Sequence, residues 1–437
     1  MAISAAEQYM LEVLNRARLD PAAEAARQGT SLNAGLPNGQ FGPISGAPQQ
    51  VLAVVDTLDR SATNHSQWMA STGRFSHVGE NNSLWDDRMI SAGYRLDSYG
   101  WRTGENLAMA SGFGSGTESV INTHFRTLWN SALHRSNMMG GTDTVNGGTF
   151  NYREIGISEV ARGGNDYVTL NFAYAARKAY VTGVVYEDRN GNKFYNIGEG
   201  DGGVRFRVGG AADQSEDAGG YAVAVSTGGW QRVDITGADM PGAVRVNMGQ
   251  GNVKLDVVNG NQLFIAGDAQ LLDGFSKARL LGRADYDLTG NGAKNTLVGN
   301  KGGNVLKGGG GNDALKGNSG NDVLSGNAGR DVLFGGAGRD RVHGGDGNDI
   351  LRGNGGADRF IFRAGDDRDV VKDFRAGQGD KLRLDDNLWS GGLTKAQVVN
   401  RFADVVNGDV VFDFGADELT LDGISSLRGL ANAIEIF

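Results

Sequence analysis

The chain has 437 residues, a formal net charge of −9 and 71 glycines, with only five prolines and no cysteine. Such a length exceeds one ordinary core and calls for about two to four domains. The acidic balance gives no bulk attraction to nucleic acid, the missing cysteines exclude disulfides, thiolate nucleophiles and Cys-ligated zinc, and no apolar run approaches the roughly 20 residues that span a bilayer.

No secretory leader is expected at the start, because Glu7 interrupts "MAISAAEQYMLEVLNRARLD" early. Ser4 and Glu7 instead read as a capping box opening a helix with Met10, Leu14 and Ala17 on one side, closed by Asp20 and Pro21. A second helix is expected over 50–71, with Val54, Leu58, Ala62, His65 and Met69 on one face. A third is expected over 117–132, carrying Ile121, Phe125, Leu128 and Trp129, and "YREIGISEVA" and "YVTLNFAYA" read as strands. On this pattern His65 is a hydrogen-bonded core residue and His124 faces solvent.

"NHSQWMASTGRFSHVGENNSLWDDRMISAGY", "GENLA", "LWNSALHRSNMM" and "EIGIS", in that order, resemble a bacterial CAP domain, the superfamily of cysteine-rich secretory, venom antigen and plant pathogenesis-related proteins. The resemblance covers residues 1–176 and implies an α-β-α sandwich with a central cleft lined by two His and two Glu. Matched residue by residue, these fall on His77 of "FSH", His134 of "HRSN" and Glu105 of "GEN". The second glutamate would lie near Ser131 and is missing. Two imidazoles and one carboxylate can hold zinc or another divalent ion, weakly without the fourth group. A structural cluster is the competing reading, and no catalytic residue is assigned: the chain offers neither a cysteine nucleophile nor a G-x-S-x-G elbow.

Residues 179–267 alternate short strands, "YVTGVVYED", "GVRFRVGG", "GGYAVAVS" and "WQRVDITG", with turn residues, as a small β-sandwich does. "DRNGNKFYNIGE" puts Asp188, Asn190, Asn192 and Glu199 at places 1, 3, 5 and 12 of a calcium loop, with Lys193 where Gly is usual. The segment resembles the B-type prealbumin-like repeats of bacterial surface proteins, whose loops of this kind bind calcium; an ordinary Asn-Gly turn is the alternative.

From Gly290 the chain repeats in nines: GNGAKNTLV, GNKGGNVLK, GGGGNDALK, GNSGNDVLS, GNAGRDVLF, GGAGRDRVH, GGDGNDILR, GNGGADRFI. Position 1 is always Gly; position 8 is Leu297, Leu306, Leu315, Leu324, Leu333, Val342, Leu351 and Phe360. Position 6 is Asn295 and Asn304, then Asp313, Asp322, Asp331, Asp340, Asp349 and Asp358. Glycines permit the tight turns, and one apolar residue per unit marks a three-residue strand facing a narrow core. Two units close one coil of a parallel β-roll, so units 18 residues apart stack and bring their carboxylates together. Such like charges need a cation between them, and all-oxygen ligands favour calcium. The Asn pairs 295/313 and 304/322 should bind more weakly, and His343 at position 9 should point outward.

Residues 290–361 resemble the hemolysin-type calcium-binding repeats of RTX proteins. The resemblance implies a secreted protein that leaves through a type I secretion apparatus and folds on calcium outside the cell, where calcium modules have dissociation constants of roughly 0.1 to 1 mM. Residues 362–437 then look like the capping segment and C-terminal export signal. The expected fold class is multidomain: CAP-like α-β-α sandwich, β-sandwich, parallel β-roll. Three functions fit: a calcium-binding protein whose CAP cleft engages a lipid, peptide or cell-surface ligand; a metal-assisted hydrolase using His77, Glu105 and His134; or a structural surface or matrix protein.

Overall fold

In a computed structural model, residues 3–37, 41–96, 101–112, 114–143, 148–149, 151–176, 178–237, 240 and 242–437 are described. They fall into two compact units, one of residues 1–242 and 246–266, the other of residues 243–245 and 267–437.

In the first unit, helices α1 (Ala5–Leu19), α2 (Pro21–Arg27), α3 (Asp56–Thr72), α4 (Trp85–Ser91), α5 (Glu118–Asn130) and α6 (Ala132–Met139) accompany a four-stranded sheet. Its strands run in the order Ala53–Val54, Glu154–Arg162, Asn165–Ala175, Trp101–Ser111. The Ser4–Glu7 capping box forms on α1, and Pro21 opens α2 with Asp20 as its cap. Helix α3 begins at Asp56 and not near residue 50, because 53–54 extend to pair in parallel with Glu154 and Ile155 and Val55 is still extended. The helix expected over 117–132 breaks at Ser131, whose ψ of 119° starts a new helix carrying His134. Helix α3 lies so close to the sheet that a Cβ on Gly156 would collide with the Leu58 backbone.

Arg18, fully buried, ties distant segments together by donating to the carbonyls of Gln50 at 2.6 Å, Met138 at 2.5 Å and Tyr152 at 2.9 Å. Burial pushes its pKa down to about 9. Residues 178–266 add two further groups of strands. Arg205–Val208 pairs antiparallel with Ala211–Gln214 and Trp230–Thr236, while Lys178–Tyr186 lies between Gly220–Ser226 and Val253–Val258. Phe206 and Tyr221 stack between these groups, ring centroids 3.5 Å apart. Among the described residues no helix is long and apolar enough to cross a membrane.

The second unit is a parallel β-solenoid of about seven turns. Two ladders rise through it. One stacks Leu288, Leu306, Leu324, Val342, Phe360, Leu382 and Ile434; the other stacks Ala278, Leu297, Leu315, Leu333, Leu351, Val371 and Leu421. Every one of these side chains is buried. The 18-residue register holds within the repeats, and the ladders run past both ends of them, from Ala278 and Leu288 to Leu421 and Ile434. Paired segments such as Val323–Ala328 are six residues long, not three, because pairing resumes at Asn327 and Ala328 after a one-residue gap at Gly326. Helix α7 (Lys395–Phe402) brings Phe402 against Trp389 and Phe414, an aromatic group that closes the far end.

Leu333 sits fully buried between Leu315 and Leu351. Leu333→Ala should cost about 2 to 5 kcal/mol, measured by urea unfolding in saturating calcium.

Candidate functional site: the aspartate ladder, a side loop and a histidine cluster

The ladder is built from one side chain per unit. The backbone N–H of Asp313 donates to Asp331 Oδ1 at 2.7 Å, that of Asp322 to Asp340 Oδ1 at 2.8 Å, that of Asp331 to Asp349 Oδ1 at 2.7 Å and that of Asp340 to Asp358 Oδ1 at 2.9 Å. One carboxylate oxygen therefore fastens each coil to the coil before it. The other, Oδ2, is buried without a partner at Asp313, Asp322, Asp331, Asp340 and Asp349. A Cβ added to Gly308 would run into Asp313 Oδ2 and the Gly326 carbonyl oxygen, and one on Gly326 into Asp331 Oδ2 and the Gly344 carbonyl oxygen. Carboxylate and carbonyl oxygens thus converge around a bare Cα. This is an oxygen-only donor set with unsatisfied charge, and it fits a calcium ion. Among the described residues no three His, Asp or Glu side chains gather at one point; the remaining ligands here would be main-chain carbonyls.

Asn295 and Asn304 are placed differently. Their N–H groups join the ladder, donating to Asp313 and Asp322 at 2.7 Å, but their own Oδ1 atoms accept from Asn291 and Asn300 within the same turn. The open oxygens begin at Asp313.

The ladder also outlasts the repeats. Asp349 N–H donates to Asp369 Oδ1 and Asp358 N–H to Asp380 Oδ1, both at 3.0 Å, across 20 and 22 residues. Asp369 and Asp380 were not legible as members, because the nonapeptide phase has slipped by then. Asp369 Oδ2 is likewise buried and unpartnered. His343 is partly exposed and faces Asp366, Nε2 to Oδ2 3.1 Å.

Burial, as the largest cause, raises the ladder's carboxyls: Asp313, Asp322 and Asp358 to about 6, Asp340 and Asp349 to about 7, and Asp369 to about 9. Backbone N–H donation opposes the shift, and neighbouring aspartates add to it at Asp340 and Asp349.

In the loop 188–199, Asp188 Oδ2 accepts from Lys193 N–H at 3.1 Å, Asn190 Oδ1 from Asn192 N–H at 2.9 Å and Asn192 Oδ1 from Phe194 N–H at 2.7 Å. Glu199 is buried and accepts from the Arg189 and Asn196 N–H groups. The chain therefore wraps around its own side-chain oxygens, and Asp188 Oδ1 is left buried and unpartnered. Lys193 has φ of 62°, the left-handed conformation that Gly would take without strain.

His77 and Glu105 come together, Nδ1 to Oε1 2.9 Å, and the His134 ring centroid lies 6.3 Å from that of His77. The strand Trp101–Ser111 carries Glu105, and α6 carries His134. Sequence reasoning missed Arg88 of α4, which donates to Glu105 Oε2 at 2.6 Å and to the His77 carbonyl at 3.1 Å. Glu105 thus has one oxygen on a guanidinium and the other on an imidazole, so its charge is already paired with that of Arg88. Burial lowers the pKa of His134, with His77 adding to the effect. His65 is buried and its Nε2 lies 2.9 Å from the Ser76 carbonyl, holding the loop before His77. His124 corrects the expectation of a solvent-facing residue: it is fully buried, Nε2 3.3 Å from Asp166 Oδ2, because its side of α5 packs on the sheet.

Two measurements follow. A carboxyl raised by folding adds stability below its ordinary range, near 4, and that contribution is lost as pH rises through its folded pKa. In chelator the roll should therefore be more resistant to denaturant at pH 4.5 than at pH 7.5, while calcium reverses the order; denaturation at both pH values checks it. Lys193→Gly should stabilise the loop by about 1 kcal/mol, read as slower hydrogen exchange over 188–199.

Residues 289–324, 308–342, 316–351 and 334–369 match the family described as RTX calcium-binding nonapeptide repeat (4 copies). No curated protein matches the chain. Among solved structures, an extracellular protein containing a SCP domain from Bacillus anthracis is 20% identical over 29% of this chain and 35% of its own, with a TM-score of 0.23. Extracellular lipase LipA from Serratia marcescens is 18% identical over 36% of this chain and 39% of its own, with a TM-score of 0.19. Both alignments span well under two thirds of those chains, and likenesses this distant carry no inference. The stretch 289–369, by contrast, consists of RTX calcium-binding repeats wound into a parallel solenoid.

Proposed function

We propose that this is an extracellular calcium-binding protein whose roll, residues 290–361, winds up on calcium after type I export. Residues 362–437 serve as its cap and export signal, 179–267 as a β-sandwich with its own calcium loop, and 1–176 as a CAP-like α-β-α domain presenting a ligand cleft. The observation that carries the calcium reading is the row of buried, unpartnered Asp Oδ2 atoms beside glycine carbonyls. RTX proteins are typically secreted, which supports the extracellular location.

For the cleft, binding is better supported than hydrolysis. Glu105, the one carboxylate matched to the cleft, has both oxygens engaged, by His77 and Arg88, which makes it a poor general base. Phe75 and Val78 beside His77, Leu84 just before α4 and Leu133 beside His134 are all large, apolar and exposed, which favours an apolar ligand such as a lipid chain over a charged one.

Calcium added to the chelated full-length chain should contract it and raise its β content, followed by small-angle scattering and circular dichroism. An equally ordered roll in excess chelator would falsify the calcium reading. Lipid extracted from the purified protein and identified by mass spectrometry should be lost in a Phe75→Ser, Leu133→Ser double variant; lipid absent from both proteins, or retained by both, removes the cleft reading.

A further inference from the structure

The loop 188–199 does not stand alone. Its ninth residue, Asn196, occupies the place from which such loops reach the ion directly or through water. Asn196 Oδ1 points inward, accepting from Asn190 Nδ2 at 2.9 Å and Asn192 Nδ2 at 2.7 Å. Its Nδ2 points outward and donates to Glu118 Oε1 at 3.0 Å, and the same oxygen accepts the Ile197 N–H at 3.0 Å. Glu118 belongs to the first turn of α5, 78 residues earlier in the chain. An amide can face either way, and an acceptor on one side fixes which end is inside. The loop tip is held from the same direction: Phe194 lies under the Arg16 guanidinium, 4.8 Å from its carbon, and edge-on to Tyr9, whose hydroxyl accepts from Asn122 of α5 at 3.1 Å.

We propose that Glu118 is a positioning residue for a calcium ion in this loop: by capturing the Asn196 amide nitrogen and the Ile197 N–H it turns the Asn196 oxygen toward the ion, so the loop and the start of α5 are ordered together. The inference rests on the calcium reading of the loop. Carboxylates outside the ligand shell that orient ligands are typically worth about 10-fold to 100-fold in affinity. Because the acceptor matters here more than the charge, the neutral isostere should retain most of the effect and alanine should not.

The test is hydrogen–deuterium exchange by mass spectrometry on the full-length chain during a calcium titration from chelator, reading peptides over 188–199, 117–130 and the roll separately. In the wild type, calcium should protect the first two with one shared midpoint. Glu118→Ala should move that midpoint up about 10-fold with full protection regained at high calcium, and Glu118→Gln should stay within about 3-fold, on the same acceptor argument. Exchange of the calcium-free variants, compared with wild type, tells a positioning role from a structural one. An unchanged midpoint in Glu118→Ala, or a loss present equally without calcium, overturns the inference while leaving the loop's calcium site standing. A wild-type loop indifferent to calcium while the roll responds removes the calcium reading of the loop, and the inference with it.

Discussion

The hydrogen bond from one aspartate's backbone N–H to the Oδ1 of the aspartate one coil further on is the constraint on which the second unit depends. It gives a single side chain two oxygens with different fates, one fastening the coils and one left open. Serine could fasten but not bind a cation strongly, and glutamate, one methylene longer, would not fit between the coils at the same spacing. Because Oδ1 is committed to the backbone, Oδ2 has a fixed direction in every wound coil. The same geometry makes the ion-free roll expensive: charge is buried without compensation, and 22 glycines within residues 290–361 surrender their backbone freedom.

Much of the roll was legible because its physics is periodic. A glycine column, an apolar column and an acidic column at fixed phase leave little choice of fold, and Leu306, Leu324 and Val342 stack as that phase requires. What the period could not supply was where the ladder stops. Asp369 and Asp380 enter it after insertions that lengthen the coil to 20 and 22 residues, so they share no phase with the repeats, only the demand of the last N–H groups for an acceptor. The two Asn units were legible as members, but not as turns closed by their own amides.

The first unit shows the limits of reading helix faces alone. His65 sits inside, as the apolar helix face it shares with Leu58, Ala62 and Met69 suggested, whereas His124, between Thr123 and Phe125, is inside too because a sheet lies against that side of α5. Motif matching pointed to His77, Glu105 and His134, yet Arg88, which pairs with Glu105, lies within a matched stretch at a position to which the resemblance gave no role. Where a second carboxylate was missing from the expected set, the structure has a guanidinium taking up the first. The cluster is an Arg88–Glu105 ion pair with His77 on the other carboxylate oxygen and His134 beside it.

Asp369 and Asp380, the two late aspartates, bear on how separate molecules behave. A chain ending at residue 361 would leave the N–H groups of Asp349 and Asp358 with no acceptor and expose two parallel strand edges of matching register. Bare edges of that kind recruit strands from other copies, and a solenoid offers them at the same pitch it uses internally. The residues after the repeats occupy both edges, so the winding of the repeats is continued within the same chain.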